Sequence, residues 1–185
     1  MRVLCFSFGI LKIKRLIMNK TKQNIFITNN SKETQRLAES FIFRSEILLR
    51  RTKTPRVFAL FGELGSGKTT FVQGLAKGLG IKKRIISPTF IIVRNYKIRN
   101  KIYDLPAGKA GLRFKNFFHV DLYRLESKND IEGLGLEEII NDSENIIAIE
   151  WAEKIKSLLP KNRYDIRFEH LSQNKRKIII TKINF

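Results

Sequence analysis

Cysteine and histidine are scarce in this chain of 185 residues. The single cysteine, Cys5, excludes an internal disulfide and points to a reducing compartment, the cytoplasm. The two histidines, His119 and His170, lie far from that cysteine and form no zinc-type cluster. No apolar run approaches the about 20 residues that span a bilayer, so we expect no membrane partner.

Acidic residues are also few: the chain has 17 Asp and Glu and 36 Lys and Arg, which gives a formal net charge of +19. A strongly basic surface is typical of proteins that bind nucleic acid, which makes direct contact with RNA one interpretation. The alternative is a generally Lys-rich composition. The basic residues are spread over several segments, so the sequence leaves both open.

Two segments differ from the rest of the chain. Residues 1–17 are largely apolar, and Lys12, Lys14 and Arg15 follow the apolar part, whereas a signal peptide has its charges before it. We expect this segment to be an extension outside the fold. Residues 18–185 are then one domain. Residues 97–116 contain the small, basic repeat AGKAG and no clear period, which predicts an exposed insertion.

The strongest motif is the stretch FGELGSGKTT at 61–70, which matches G-x-x-x-x-G-K-[ST]. In such a loop, glycines turn backbone N–H groups towards a polyphosphate at the start of a helix. Lys68 would reach the β- and γ-phosphates, and Thr69 would offer its hydroxyl to Mg²⁺. The motif lies between a strand-like VFALF and a segment with helical periodicity, which is the context that a phosphate-binding loop requires.

Two predicted strands end in a carboxylate that could hold the metal or position water. Asp121 closes FFHVD and Glu150 closes IIAIE, and ligands of open α/β sheets lie at the carboxyl ends of strands. From the residues alone, either could be the metal carboxylate. Strands that alternate with helices predict the fold class: α/β, a P-loop NTPase-like domain with a mostly parallel central sheet flanked by helices.

Three further positions are candidates for the site. Thr89 lies in Ser-Pro-Thr, a switch-like loop whose hydroxyl could meet the γ-phosphate or metal. Arg124 could stabilise charge in the transition state, and Trp151 is more typical of a core or interface anchor. A guanine-reading Asn-Lys-x-Asp element is missing, which favours ATP over GTP.

The ordered set FGELGSGKTTFVQGLAKGLG, SPTFIIVRNY, HVDLYRL, GLGLEEII and IEWAEK resembles the bacterial tRNA threonylcarbamoyladenosine biosynthesis ATPase family, TsaE, over about residues 24–169. The resemblance implies a small ATPase that uses ATP and Mg²⁺. It would work with two partner proteins to modify the tRNA adenosine 3′ of the anticodon, without transferring the group itself.

The resemblance also implies roles for particular residues. Thr69 and Glu150 would hold Mg²⁺, while Asp121 would orient the attacking water or a magnesium-bound one. Thr89 and Arg124 fall on motif positions near the nucleotide. The phosphate contacts would come from Gly65, Ser66, Gly67, Lys68, Thr69 and Thr70.

Two other functions remain open on the sequence. One is a P-loop kinase that phosphorylates a small molecule, although the only segment comparable to a kinase lid is the insertion. The other is a basic RNA-binding module with vestigial nucleotide binding.

Overall fold

A computed structural model describes residues 15–16, 23–44, 56–98, 114–126 and 128–183. The strands are β1 (Arg15–Leu16), β2 (Gln23–Thr28), β3 (Val57–Phe61), β4 (Val93–Lys97), β5 (Asn116–Asp121), β6 (Asn145–Glu150), β7 (Arg163–His170) and β8 (Arg176–Ile183). The helices are α1 (Ser31–Arg44), α2 (Lys68–Gly78), α3 (Lys128–Glu132), α4 (Leu136–Asn141) and a 3-10 helix (Ala152–Ile155). Within these residues, no helix combines the length and apolar composition needed to cross a membrane.

The strands form one sheet in the order β1-β2-β8-β7-β3-β6-β5-β4. Its centre, β7-β3-β6-β5, is parallel, and every residue of β3 and β6 is buried. Such strands are typical of sheets covered on both faces. The predicted α/β fold with a parallel centre is therefore confirmed. The remaining pairs, β1-β2, β2-β8, β8-β7 and β5-β4, are antiparallel. For β7 and β8 the reason is the short loop between them, because a short loop can join only antiparallel neighbours.

Alternate residues of the central strands point to two separate cores. On one face, Phe58 and Leu60 of β3 pack with buried residues of α1 and α2. On the other face, Val57 and Ala59 pack with α4 and the 3-10 helix. The helix α2 therefore covers one face and begins at the carboxyl edge of the parallel strands.

Several boundaries differ from the sequence predictions. Within residues 1–17, Arg15 and Leu16 pair with β2, and the others lie outside the described residues. For the predicted insertion at 97–116, Ile98 and Phe114 are buried and residues 99–113 lie outside the described part. Residues 128–141 form the two short helices α3 and α4 and not a single helix, because Gly135 adopts a left-handed conformation.

Helices α1 and α2 are packed closely through Gly74. A Cβ atom at this position would lie 2.2 Å from the carbonyl oxygen of Gln35 on α1. Since that neighbour is backbone, the helices would have to move apart to admit a side chain. Close contact here fixes α2, and with it the glycine-rich loop that precedes the helix.

We predict that Gly74→Ala lowers the free energy of unfolding by about 1–3 kcal/mol, the usual cost of overpacking. The clash outweighs the gain of up to about 1 kcal/mol that alanine brings to a helix. Urea denaturation measures the change. Gly133→Ala is the matched control, because a Cβ atom there meets nothing within 4 Å. Equal stability of the two variants would contradict the prediction.

Candidate functional site

The glycine-rich loop connects β3 to α2 at the carboxyl edge of the sheet. Gly62, Gly65 and Gly67 have φ angles of 143°, 74° and 101°, which residues with a side chain rarely adopt. Gly67 precedes α2, and no side chain caps this helix. Backbone N–H groups of its first turn therefore have no capping side chain as a partner, as phosphate binding requires.

Two neighbouring strands support this loop. A Cβ atom on Gly62 would lie 2.8 Å from the carbonyl oxygen of Phe168 in β7. From β8, the Arg176 guanidinium donates to the carbonyl oxygen of Gly65 at 3.2 Å. Ser66 is buried within the loop, and its hydroxyl has no hydrogen-bond partner in the described part of the chain.

Lys68 is buried at the start of α2. Its ammonium donates to the carbonyl oxygens of Gly62 at 2.6 Å and Glu63 at 2.9 Å. The same nitrogen lies 3.9 Å from the centre of the Trp151 ring, a cation–π distance. Burial lowers the pKa of Lys68 from its ordinary value, while nearby carboxylates, Glu150 first among them, oppose the shift.

The two predicted carboxylates are neighbours on adjacent parallel strands, since Asp121 of β5 pairs in register with Glu150 of β6. Their partners differ. Glu150 Oε2 accepts a hydrogen bond of 3.0 Å from the Thr69 hydroxyl. This contact brings together the two predicted magnesium ligands, which are 81 residues apart in the sequence.

Asp121 instead holds the Ser-Pro-Thr loop. Its Oδ2 accepts hydrogen bonds from the hydroxyls of Ser87 and Thr89, the latter at 2.7 Å. Its Oδ1 accepts from the backbone N–H of Tyr123 at 3.1 Å. Asp121 therefore connects two loops at the mouth of the site, whereas Glu150 contacts the start of α2.

These groups line one cleft of about 320 Å³. Its lining includes most of the predicted site residues: Gly65, Gly67, Lys68, Thr69, Thr70, Thr89, Asp121, Glu150 and Trp151. Arg124 is not part of this lining. Its guanidinium lies 3.9 Å from the centre of the exposed Phe90 ring, so its predicted catalytic role stays a prediction.

Sequence reasoning missed some members of the site. Tyr123 lines the cleft, and its ring centre lies 5.2 Å from that of Trp151. Trp151 itself has a φ of 59°, which turns the chain sharply after β6. His119 is not among the predicted site residues, yet its Nε2 lies 2.8 Å from Glu150 Oε1. Its spacing of two residues from Asp121 was the available signal, because alternate residues of a strand share a face.

Comparisons with known proteins agree with the fold and the loop. A profile described as "Threonylcarbamoyl adenosine biosynthesis protein TsaE" matches residues 28–178. The tRNA threonylcarbamoyladenosine biosynthesis protein TsaE of Rickettsia felis is 37% identical over 153 residues, which cover 82% of this chain and 76% of the relative. The protein of the same name from Bacillus subtilis is 33% identical over 162 residues, covering 88% of this chain and 87% of the relative.

Among solved structures, the crystal structure of Bacillus subtilis YdiB matches with a TM-score of 0.63 and 27% sequence identity. The match covers 90% of each chain. The family match extends over most of the chain and includes the glycine-rich loop, both carboxylates and Trp151. The chain therefore belongs to the TsaE family.

Proposed function

We propose that this protein is a Mg²⁺-dependent ATPase required for threonylcarbamoyl modification of the tRNA adenosine 3′ of the anticodon. The observation that carries the proposal is the contact between Thr69 and Glu150 beside Lys68 in the glycine-rich loop. The relatives named as tRNA threonylcarbamoyladenosine biosynthesis proteins support the pathway. The protein would act with two partner proteins and would not transfer the group itself. Direct contact with tRNA is a further part of the proposal, supported by the net charge of +19.

Lys68 and the backbone N–H groups of the glycine-rich loop fit a nucleoside triphosphate. Lys68 donates to two backbone carbonyls, and anionic phosphate oxygens are stronger acceptors than carbonyls. A bound polyphosphate would therefore draw the ammonium away from Gly62 and Glu63. The backbone N–H groups of the loop and the first turn of α2 would surround the same phosphates, as the positive φ angles of the glycines allow.

The chain's groups also fit Mg²⁺. The Thr69 hydroxyl and the Glu150 carboxylate are hard oxygen donors within 3.0 Å of each other. In the described part of the chain, no three His, Cys, Asp or Glu side chains gather to hold a metal by themselves. This agrees with a site in which substrate phosphates and water provide the remaining ligands, as is common for Mg²⁺. When bound, the cation would neutralise charge on the transferred phosphoryl group.

Asp121 is suited to a different task. It holds Ser87 and Thr89 on one side and Tyr123 on the other, within the lining of the cleft. We assign it to orienting the attacking water, directly or through the Thr89 hydroxyl. Trp151 packs against Lys68 and covers one side of the cleft, which limits the access of bulk water to the ammonium.

We predict that Lys68→Ala reduces ATP hydrolysis by about 100-fold or more, because it removes the cation that meets the β- and γ-phosphates. Phosphate release and threonylcarbamoyl-tRNA formation would be measured with the proteins that co-purify from the source cell. Lys77→Ala is the matched control. It lies near the other end of α2 and forms an exposed ion pair with Glu39. Undiminished hydrolysis in Lys68→Ala, or transfer of phosphate to a small acceptor, would refute the proposal.

We predict that Glu150→Ala removes the metal dependence of nucleotide binding and spares binding without metal. The quantity measured is the ratio of the ADP dissociation constant in EDTA to that in Mg²⁺. Trp151, the only tryptophan in the sequence, reports binding by fluorescence from within the cleft. We expect the ratio to fall by about tenfold or more. Asp121→Ala, the matched carboxylate, should keep the ratio. The reverse result would exchange the roles of the two carboxylates.

A further inference from the structure

His119 lies in the middle of β5, in the interior of the protein. Its side chain has no exposed surface. It shares a sheet face with Asp121, two residues further along β5, and pairs in register with Ala148, two residues before Glu150. The ring therefore lies directly below the two carboxylates of the cleft, although it does not line the cleft itself.

The hydrogen bond from His119 to Glu150 has a defined direction. A carboxylate can only accept, so the 2.8 Å contact requires the proton on Nε2 of His119. The other ring nitrogen, Nδ1, is buried and has no hydrogen-bond partner among the described residues. A histidine that serves packing alone would carry this unpaired nitrogen at a cost to stability.

Packing does not explain a histidine at this position. Phe117 faces the same core two residues earlier, is fully buried, and contains no polar side-chain atom. An apolar residue at position 119 would avoid the unpaired Nδ1. What it would lose is the hydrogen bond from the His119 side chain to Glu150.

That hydrogen bond fixes the orientation of Glu150. With Oε1 bonded to His119, Oε2 is left to face Thr69 at 3.0 Å. The carboxylate cannot rotate about its last bond without breaking both contacts. We propose that His119 is a positioning residue that orients the Glu150 carboxylate for a Mg²⁺ ion held between Glu150 and Thr69. This inference rests on the proposed function.

Three substitutions of His119 separate the hydrogen bond from the volume of the ring. Glutamine places an N–H donor near the position of Nε2 and should retain the contact with Glu150. Asparagine is one methylene shorter, so its N–H groups stop near the position of Nδ1. Leucine removes the donor altogether. The asparagine and glutamine variants alone decide the question if the leucine variant does not fold.

The measurement is the ratio of ADP dissociation constants in EDTA and in Mg²⁺, followed by Trp151 fluorescence on the full chain. We expect His119→Asn and His119→Leu to lower this ratio by about tenfold or more, the usual effect of losing a partner of a metal ligand. Their affinity for ADP in EDTA should match that of the unchanged protein. His119→Gln should keep the ratio within about twofold.

Phe117→Leu is the control for loosening of β5, since it removes buried volume from the same face without touching Glu150. Its ratio should not change. A retained ratio in His119→Asn would overturn the inference, and so would an equal loss in His119→Gln and His119→Asn. An unchanged protein with a ratio of one would instead refute the metal site of the proposed function.

Discussion

The hydrogen bond between Thr69 and Glu150 joins two residues that are held in place by different interactions. Glu150 ends β6, a strand buried at every residue, so its position is set by the parallel sheet. Thr69 lies in the first turn of α2, whose position is set by close packing against α1. The distance between the two oxygens thus depends on how helix and sheet pack together.

Much of this arrangement follows from local sequence. The glycine-rich loop has an unambiguous pattern, and the apolar runs that end in Asp121 and Glu150 place both carboxylates at one edge of a parallel sheet. Fold class and most cleft residues could therefore be predicted. The resemblance to a family was needed to choose Glu150 as the metal ligand, because strand ends alone do not say which carboxylate faces α2.

Other features depend on contacts that sequence patterns do not contain. His119 looks like any residue of a buried strand, and only the register of β5 against β6 brings its ring to Glu150. Arg124 lies close in sequence to Asp121, yet its guanidinium stacks on Phe90 and not on the cleft. The antiparallel pairing of the outer strands was not predicted, because it depends on which strands are neighbours in the sheet.

Charge in the cleft contrasts with charge on the whole chain. The protein carries a formal net charge of +19, which favours the approach of anions from a distance. Near Lys68, however, the carboxylates of Glu150, Glu153, Asp121 and Glu63 all act on its ammonium. They would repel a polyphosphate at close range, which is a physical reason for including Mg²⁺ in the proposed function.

Support of the glycine-rich loop by β7 and β8 has a consequence for synthesis of the chain. Phe168 abuts Gly62, Arg176 bonds to Gly65, and β8 also pairs with β2 near the start of the fold. These contacts join residues that are far apart in the sequence, for example 111 residues apart for Arg176 and Gly65. The glycine-rich loop therefore gains its full support only after β7 and β8 have been synthesised and have joined the sheet, and such long-range pairing makes folding slow.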